Sequence, residues 1–260
     1  MNLGIAGRVA LVFGASGGLG GACARALAAE GASVALAGRN RTALERVAAE
    51  IGSNAKSLVL PWDLSDLSNI DANISAIEHG LGPVDILFNN TGGPPPGSAQ
   101  GVPIEVWSKQ FQAMVASVIA ITDRVLPGMK ARRWGRVITS TSSSVIAPIP
   151  NLAISNTLRA ALVGWSKTLS REVAREGITV NVIAPGRIDT NRVRNLDADR
   201  AQREQRPLAE IQAQGAASVP IGRYGEPDEF AAAVAFLASS RASYITGDIL
   251  RVDGGLIPSV

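Results

Sequence analysis

The sequence predicts an α/β fold: one doubly wound domain built on a parallel sheet of about seven strands. Short runs rich in Val, Ile and Leu alternate with longer segments of helical periodicity along the chain. Continuous apolar runs are typical of strands buried on both faces, and their alternation with helices indicates βαβ units with right-handed crossovers. The 260 residues contain no repeat, linker or low-complexity tract, so we expect a single domain over residues 1–260.

Each predicted strand is a short, mostly apolar run whose flanking residues include types that favour turns, such as Gly, Pro, Asn, Asp and Ser. The first strand leads directly into a glycine-rich turn, and the last precedes a Gly-Gly pair. The predicted strands lie at residues 8–13, 33–37, 57–61, 84–88, 136–140, 179–184 and 249–252.

Helices are predicted between these strands, where apolar residues recur at a period near 3.6. A helix after the third strand should begin near Ser65 or Ser68, because serine is a preferred N-cap residue. A long helix is expected to be broken or adjusted around its start, and the segment 195–215 is polar but helical in pattern. The other predicted helices lie at residues 18–30, 41–51, 104–132, 156–176 and 227–238.

Composition argues against several classes of function. The net charge is +3, but the basic residues form no run of five or six and are not interleaved with aromatic residues, so we expect no nucleic-acid partner. One cysteine, Cys23, and one histidine, His79, leave no cluster for a metal. We interpret Cys23 as a buried core residue and His79 as an exposed helix-end residue. With no apolar stretch near the roughly 20 residues that a membrane span needs, and no signal-peptide pattern, a cytoplasmic location is expected.

A glycine-rich turn between the first strand and the first helix indicates a nucleotide site. Gly14 permits a tight turn, Gly18 lets the backbone approach a pyrophosphate, and Gly20 lets the helix pack on the strand. Ser16 and Leu19 lie in the same turn, where free N–H groups at the helix start favour phosphates. A glycine-rich string alone is weak evidence for a nucleotide site, but its position between a strand and a helix makes that evidence strong.

The spacing GxxxGxG and four further motifs in order resemble the short-chain dehydrogenase/reductase family over residues 7–255. This resemblance implies a Rossmann-type fold with strand order 3-2-1-4-5-6-7. It also implies that an Asp after the third strand contacts adenine, and that a PGxxxT segment holds the nicotinamide carboxamide. The remaining motifs are the NNTG sequence at residues 89–92 and the DGG sequence at residues 253–255. By resemblance, the further cofactor-binding residues are Asp63, Leu64, Asn90, Gly92, Pro185, Gly186, Ile188 and Thr190.

The end of the second strand bears on the choice of cofactor. An acidic residue there would bind a ribose 2′-hydroxyl and repel a 2′-phosphate. This chain has no carboxylate there, but has Arg39 and Arg41, whose guanidinium groups suit a phosphate. NADP(H) is therefore favoured over NAD(H), the alternative being that both arginines are merely exposed at a helix start.

The resemblance also assigns the catalytic positions, and three of the four differ from the family's Asn-Ser-Tyr-Lys set. Ser142 takes the Ser position, Ser155 the Tyr position and Arg159 the Lys position, so SxxxR stands in place of YxxxK. Met114 stands where the Asn is expected. Arg159 in the Lys position is expected to contact the nicotinamide ribose as well.

Three hypotheses follow for the activity. The first is a 3-oxoacyl-carrier reductase-like, NADP-dependent oxidoreductase of a carbonyl or alcohol, in which water or the substrate supplies the proton. Arg159 could then grip an anionic substrate, such as a carboxylate or a thioester-linked acyl carrier. The second is a catalytically inactive nucleotide-binding subunit or regulatory pseudoenzyme. The third, ranked last, is dehydration or isomerisation.

Other segments leave alternatives open. The loop 93–97 either shapes the substrate pocket or is a rigid turn. Residues 191–218 lie where the family has its substrate lid, but the charges of 195–215 could equally form an exposed helical face. Trp107, Trp134 and Trp165 lie on or beside the two long helices, which pair across a two-fold axis in related proteins. A homodimer or homotetramer is implied, although packing within one subunit would use the same residues.

Overall fold

Seven parallel strands form one sheet in a computed structural model that describes residues 2–259, except for the side chain of Asn54. The order β3-β2-β1-β4-β5-β6-β7 confirms the prediction for both the number of strands and their arrangement. The strands are β1 Val9–Phe13, β2 Ser33–Gly38, β3 Ser57–Pro61, β4 Ile86–Asn89, β5 Gly135–Ser140, β6 Ile178–Pro185 and β7 Ile249–Val252.

Nine α-helices are found within residues 2–259, and they cover both faces of the sheet. They are α1 Gly18–Ala29, α2 Arg41–Ile51, α3 Ile70–Gly80, α4 Ile104–Phe111, α5 Ser117–Arg132, α6 Ala153–Val173, α7 Asn191–Glu204, α8 Leu208–Ala217 and α9 Pro227–Ala238.

Burial of both faces of β1 explains its unbroken apolar sequence. Ala10 and Val12 belong to a core cluster that includes residues of α1 and α9, whereas Leu11 belongs to the cluster that includes residues of α3 and α5. Successive side chains of a strand point to opposite faces, so both sets must be apolar. Cys23 lies in the first cluster, as predicted, and burial raises the pKa of its thiol. His79 is exposed near the end of α3, also as predicted.

Two helix starts differ from the prediction because other residues provide the cap or extend the helix. The third helix is capped near Ser65 as predicted, but not by a serine: Asp66 caps a short 3₁₀ turn, Leu67–Asn69, and its carboxylate accepts a hydrogen bond from Ser68 N at 3.0 Å. The second long helix, α6, begins and ends three residues earlier than predicted, because a 3₁₀ turn occupies 174–176.

The long helix predicted at residues 104–132 is two helices joined by a π turn. The turn spans Gln112–Ala116, between α4 and α5, and contains Met114. The predicted 195–215 segment is likewise two helices, because Gln205 takes a left-handed conformation at φ 51° and Pro207 follows it. The other bounds lie within two residues of the prediction.

No helix between residues 2 and 259 combines the length and apolar composition that crossing a bilayer requires. Within the same part of the chain, His, Cys, Asp and Glu side chains do not gather in groups of three that could hold a metal ion.

The order of the strands determines where a site can form. β1 pairs with β2 on one side and with β4 on the other, so the direction of the crossovers reverses between β1 and β4. Ligands of open α/β sheets bind at such a switch point, outside the carboxyl ends of the strands. The turns after β1, β4, β5 and β6 meet at this edge.

Candidate functional site

The turn after β1 is shaped so that the backbone lies open at the start of α1. Gly14 and Gly18 have φ values of 65° and 53°, a region that side chains other than glycine rarely adopt. A Cβ on Gly20 would overlap the carbonyl oxygen of Gly14, so only glycine lets the helix pack this closely. No side chain caps α1 at Gly17, which leaves its first N–H groups for a phosphate.

Asn90 ties the end of β4 to this turn. Its Nδ2 donates to the carbonyl oxygen of Phe13 at 3.3 Å. A Cβ on Gly14 would lie 2.5 Å from the same Nδ2, so the amide fills the space beside the glycine. Gly92, two residues later, is exposed. The structure thus brings the predicted Asn90 and Gly14 together at the switch point.

An open cavity of about 590 Å³ lies at the end of β2. Asn40 caps α2 by accepting a hydrogen bond from Ala43 N at 3.0 Å, which holds the flanking arginines beside the cavity. Arg41 is partly neutralised by Glu45 at 3.7 Å, and both side chains are exposed. No ion pair of Arg39 is found within residues 2–259. The cavity is lined by Ser16, Arg39, Asn40 and Arg41.

Asp63 and Leu64 occupy the turn after β3. The backbone N–H and the hydroxyl of Ser65 both donate to Asp63 Oδ1, at 2.9 and 2.8 Å, and lower the pKa of that carboxyl. The charge of Arg39 acts in the same direction, which places Asp63 near the cavity after β2. Leu64 packs against the core and fixes the turn.

Ser155 and Arg159 lie one turn apart on α6 and are both buried. Arg159 Nε is 3.3 Å from Ser155 Oγ, and Nη1 donates to the carbonyl oxygen of Ser140 at 3.1 Å. This second bond ties Arg159 to the carboxyl end of β5. Burial lowers the pKa of the Arg159 guanidinium to about 10, so it remains charged at neutral pH.

Ser142 follows β5 and is half-buried. Its Oγ accepts a hydrogen bond from Ser144 N at 3.1 Å, which orients the hydroxyl at the start of a short 3₁₀ turn. Ser142 therefore lies in the segment directly after Ser140, the residue whose carbonyl Arg159 contacts. The three predicted catalytic residues share one region of the molecule.

The segment after β6 crosses to the glycine turn. Gly186 packs against Asp253, where a Cβ would lie 2.7 Å from the Asp253 Cα, and Ile188 is buried. Thr190 caps α7 by accepting a hydrogen bond from Val193 N at 3.4 Å. Its methyl group lies 3.6 Å from the position of a Cβ on Gly18. Pro185 ends β6, so residues 185–190 bridge the sheet and the glycine turn after β1.

The start of α7 contains a residue that sequence reasoning missed. Arg192 Nη2 donates to the carbonyl oxygen of Pro94 at 2.7 Å, so α7 contacts the loop that follows β4. The same loop is held to the start of α6, because Gly97 N donates to Asn151 O at 2.8 Å. No motif pointed to Arg192, since its contact joins positions 98 residues apart.

A buried ion pair holds α7 in place. Arg187 contacts Asp197, and the Tyr224 hydroxyl donates to the other carboxylate oxygen at 2.7 Å. Asp197 is 2% exposed, so it does not belong to the solvated helix face that the charges of 195–215 could have formed. The other tyrosine, Tyr244, is fully exposed.

The residues at this edge suit a dinucleotide. The glycine turn would take a pyrophosphate, and the cavity with Arg39 would take the adenosine end. In the segments after β4 and β5, the buried hydroxyls of Thr91 and Ser144 have no hydrogen-bond partner within residues 2–259.

Comparisons with known proteins agree with this geometry. Residues 14–257 match the family described as enoyl-(acyl carrier protein) reductase. The chain is 39% identical to 3-oxoacyl-[acyl-carrier-protein] reductase FabG of Escherichia coli over 252 residues, covering 96% of this chain and 97% of that protein.

Two solved structures superpose on nearly the whole chain. YwfH, described as an NADPH-dependent reductase involved in bacilysin biosynthesis, shares 33% identity at a TM-score of 0.92, with 97% of this chain and 99% of that chain covered. L-sorbose reductase from Gluconobacter frateurii, complexed with NADPH and L-sorbose, shares 30% identity at a TM-score of 0.94, and the match covers 100% of both chains. The chain belongs to the short-chain dehydrogenase/reductase family.

Proposed function

We propose that the chain is an NADP(H)-dependent oxidoreductase that acts on a carbonyl or alcohol through an atypical active site. The scaffold is similar to that of 3-oxoacyl-carrier reductases, and two similar structures are described with NADPH. The observation that carries the proposal is the cluster of Ser155, Arg159 and Ser140 carbonyl beside the nucleotide-binding edge.

The cofactor preference rests on Arg39 and Arg41. Both flank the cavity after β2, and no carboxylate from residues 2–259 lines it. Arg39 is the stronger candidate for the 2′-phosphate, because Glu45 already neutralises part of the charge of Arg41. A planar guanidinium can donate two parallel hydrogen bonds to a phosphate.

When bound, NADPH supplies the hydride that adds to the carbonyl carbon, and the oxygen takes up a proton to give the alcohol. Ser142 and Ser155 would donate hydrogen bonds to that oxygen, and the positive charge of Arg159 would stabilise the negative charge that develops on it. An arginine cannot release a proton readily, so water or the substrate would supply it. The absence of a phenol acid at position 155 costs about 10²–10⁴-fold in rate.

The first experiment compares the Kd values of NADPH and NADH by fluorescence of the bound nicotinamide. We expect NADPH to bind at least about 10-fold more tightly, since a charged hydrogen bond is worth roughly 1.5–3 kcal/mol. Arg39→Ala should weaken NADPH binding by about 10–100-fold and leave NADH binding unchanged. Arg46→Ala is the matched control, because Arg46 is an exposed arginine of α2, the helix that follows Arg39, and does not line the cavity. Equal affinity of the wild type for both nucleotides would refute the role of Arg39.

A second candidate function is a catalytically inactive nucleotide-binding subunit. It is favoured by the position of Ser155, whose hydroxyl is engaged with Arg159 and is shorter and far less acidic than a phenol. Turnover of a ketone panel by the purified chain would exclude it. If the wild type binds NADPH without turnover and Ser155→Tyr/Arg159→Lys gains turnover, the missing acid explains the inactivity and this second function is supported.

A homo-oligomer remains part of the proposal. Ile104 and Phe111 lie two turns apart on α4, with exposed fractions of 69% and 46%. Exposed apolar side chains on one helix face favour contact with a second copy.

A further inference from the structure

Arg159 is a buried cation without an acidic partner. Arg159 is 9% exposed, and its guanidinium donates to two neutral acceptors, the Ser155 hydroxyl and the Ser140 carbonyl oxygen. A guanidinium has five N–H donors, so three are left after these two bonds. No carboxylate lies within 4 Å of it among residues 2–259. Buried charges are normally paired, so this one requires an explanation.

Arg192 brings a second positive charge to the same place. It is close enough for its charge to add to burial in lowering the pKa of Arg159. Desolvation also lowers the pKa of Arg192, although the charge of Asp199 opposes this effect. Arg192 is itself exposed, but its charge and the buried charge of Arg159 repel each other, and an anion between them would relieve the repulsion.

Two arginines close to Arg192 in the chain each pair with a carboxylate, whereas Arg192 has none within 4 Å among residues 2–259. Arg194, two residues further along α7, makes two hydrogen bonds to Asp189 at 2.7 and 2.8 Å. Arg187, just before α7, pairs with the buried Asp197. Arg192 instead contacts a carbonyl oxygen, which orients its guanidinium without cancelling its charge.

Arg159 and Arg192 lie apart from the glycine turn after β1. Arg192 packs on the loop after β4, where a Cβ on Gly93 would lie 2.8 Å from its Nε. That loop joins the start of α6 through an isolated bridge between Gly97 and Leu152, and α6 carries Arg159. Thr190, which caps α7, lies near Gly18, whereas no atom of Arg192 lies within 4 Å of a Cβ placed on Gly18. The loop after β4 therefore links the segment that carries Arg192 to the helix that carries Arg159.

We propose that Arg159 and Arg192 together bind the carboxylate of an oxo-acid substrate. The inference rests on the proposed function. Because Arg159 Nε lies 3.3 Å from Ser155 Oγ, a ketone oxygen bonded to Ser155 would have its carboxylate directly on, or one carbon from, the ketone carbon. The substrate class is a 2- or 3-oxo acid. Its ketone carbon accepts the hydride of NADPH and its oxygen accepts a proton from water, which gives a hydroxy acid and NADP⁺.

A thioester or an ester lacks the negative charge that this pair of arginines would bind. The free acid should therefore be the better substrate. Guanidinium and carboxylate groups form paired, charge-assisted hydrogen bonds, and loss of one such interaction lowers affinity by about 10–100-fold.

The test measures kcat/KM with saturating NADPH for 3-oxobutanoate, 2-oxobutanoate, methyl 3-oxobutanoate and an N-acetylcysteamine 3-oxobutanoyl thioester. We expect at least one of the two acids to be favoured over the ester and the thioester by about 100-fold. Arg192→Met should raise KM for the acid by about 10–100-fold and leave the ester unchanged. Arg194→Met is the matched control, because Arg194 is already paired with Asp189, and it should retain the preference.

Two further readouts separate the possible failures. If the anion that Arg192 serves is a cofactor phosphate, Arg192→Met will raise the Kd of NADPH, and the proposal is overturned. Binding of malonate to the NADPH complex, followed by nicotinamide fluorescence, requires no turnover. Saturable malonate binding that Arg192→Met abolishes would support the carboxylate site even if no ketone is reduced and the proposed function fails. If malonate does not bind, or if the acid and the ester are reduced at equal rates, the proposed carboxylate site is overturned.

Discussion

Burying the Arg159 guanidinium costs free energy, and the residues around it offset only part of that cost. A buried ion carries an effective penalty of several kcal/mol, even after relaxation. Bonds to the Ser155 hydroxyl and the Ser140 carbonyl stabilise it, but neither partner is charged. Arg136 is buried as well, yet it donates to the carbonyl oxygens of three residues, Gly135, Gly177 and Ser239. Arg136 thus has one more hydrogen bond than Arg159 and also lies over the Trp134 ring at 4.4 Å, so the fold offsets more of its burial cost.

Arg159→Met tests this difference. Replacing an uncompensated buried charge by an apolar side chain should change the free energy of unfolding by less than about 1 kcal/mol, or raise it by up to about 2 kcal/mol. Turnover should fall by about 10²–10³-fold, because the group that stabilises the developing negative charge is lost. Urea unfolding and kcat/KM measure the two effects.

Arg136→Met is the control for that experiment, with the opposite pattern. It leaves three backbone acceptors without their partner, so we expect a loss of about 1–3 kcal/mol of stability with the activity per folded molecule preserved. A larger loss of stability in Arg159→Met than in Arg136→Met would mean that Arg159 is structural.

Individual site residues differ in how far the sequence could predict them. Arg39 follows a buried strand directly, so its place beside the cavity could be derived from chain order. Ser155 and Arg159 are four apart on a helix and share one face, which spacing alone predicts. Arg192 could not be found in this way, because its role depends on the contact with Pro94, a distant residue. Such a contact depends on the path of the loop.

Element boundaries differed from the prediction where several conformations satisfy the same hydrophobic pattern. The π turn at Gln112–Ala116 inserts an extra residue between two helices without breaking the chain of backbone hydrogen bonds, so α4 and α5 have the periodicity of one long helix. The 3₁₀ turn before α3 is capped by Asp66 and not by a serine, a choice that the sequence leaves open because Ser65, Asp66 and Ser68 are all good cap types. By contrast, the bounds of α9 were predicted correctly, because Pro227 marks its first turn.

The first turn of α9 has a pH-dependent contribution to stability. Glu229 accepts hydrogen bonds from both Arg223 Nη atoms and from Glu226 N, and these lower its pKa to about 2 from an ordinary value near 4.5. A carboxyl whose pKa is lower in the folded state stabilises the fold above its unfolded pKa. The contribution is complete above about pH 4.5 and is lost as the pH falls towards 2.

Glu229→Gln should therefore lower Tm relative to the wild type at pH 7, and the difference should shrink steadily between pH 4.5 and pH 2. Asp228→Asn is the matched control, since it removes a carboxylate from the same turn but not the one that Arg223 contacts. Thermal unfolding across this pH range measures both. A difference between wild type and Glu229→Gln that stays constant down to pH 2 would contradict the assignment.

At the scale of the whole molecule, the arrangement of the sheet was predictable and the surface was not. Strands that alternate with helices and cross over with one handedness leave few arrangements, and the resemblance to the family selects one of them. The conformation of residues 191–218 depends on the Arg187–Asp197–Tyr224 contacts, which join three separate segments. No local pattern encodes contacts of this kind.

The exposed side of α4 leads to the last prediction, a self-association of the chain. Ile104 and Phe111 expose large apolar areas on one face, and burying roughly 100 Å² of such surface contributes about 2.5 kcal/mol. A two-fold contact doubles each side chain's effect, because every residue occurs on both partners. Sedimentation velocity should show a dimer or tetramer for the wild type and a smaller species for Phe111→Glu, with unchanged circular dichroism. Tyr244→Glu is the control, since Tyr244 is fully exposed elsewhere and should leave the assembly intact. If the wild type sediments as a monomer, α4 does not mediate association.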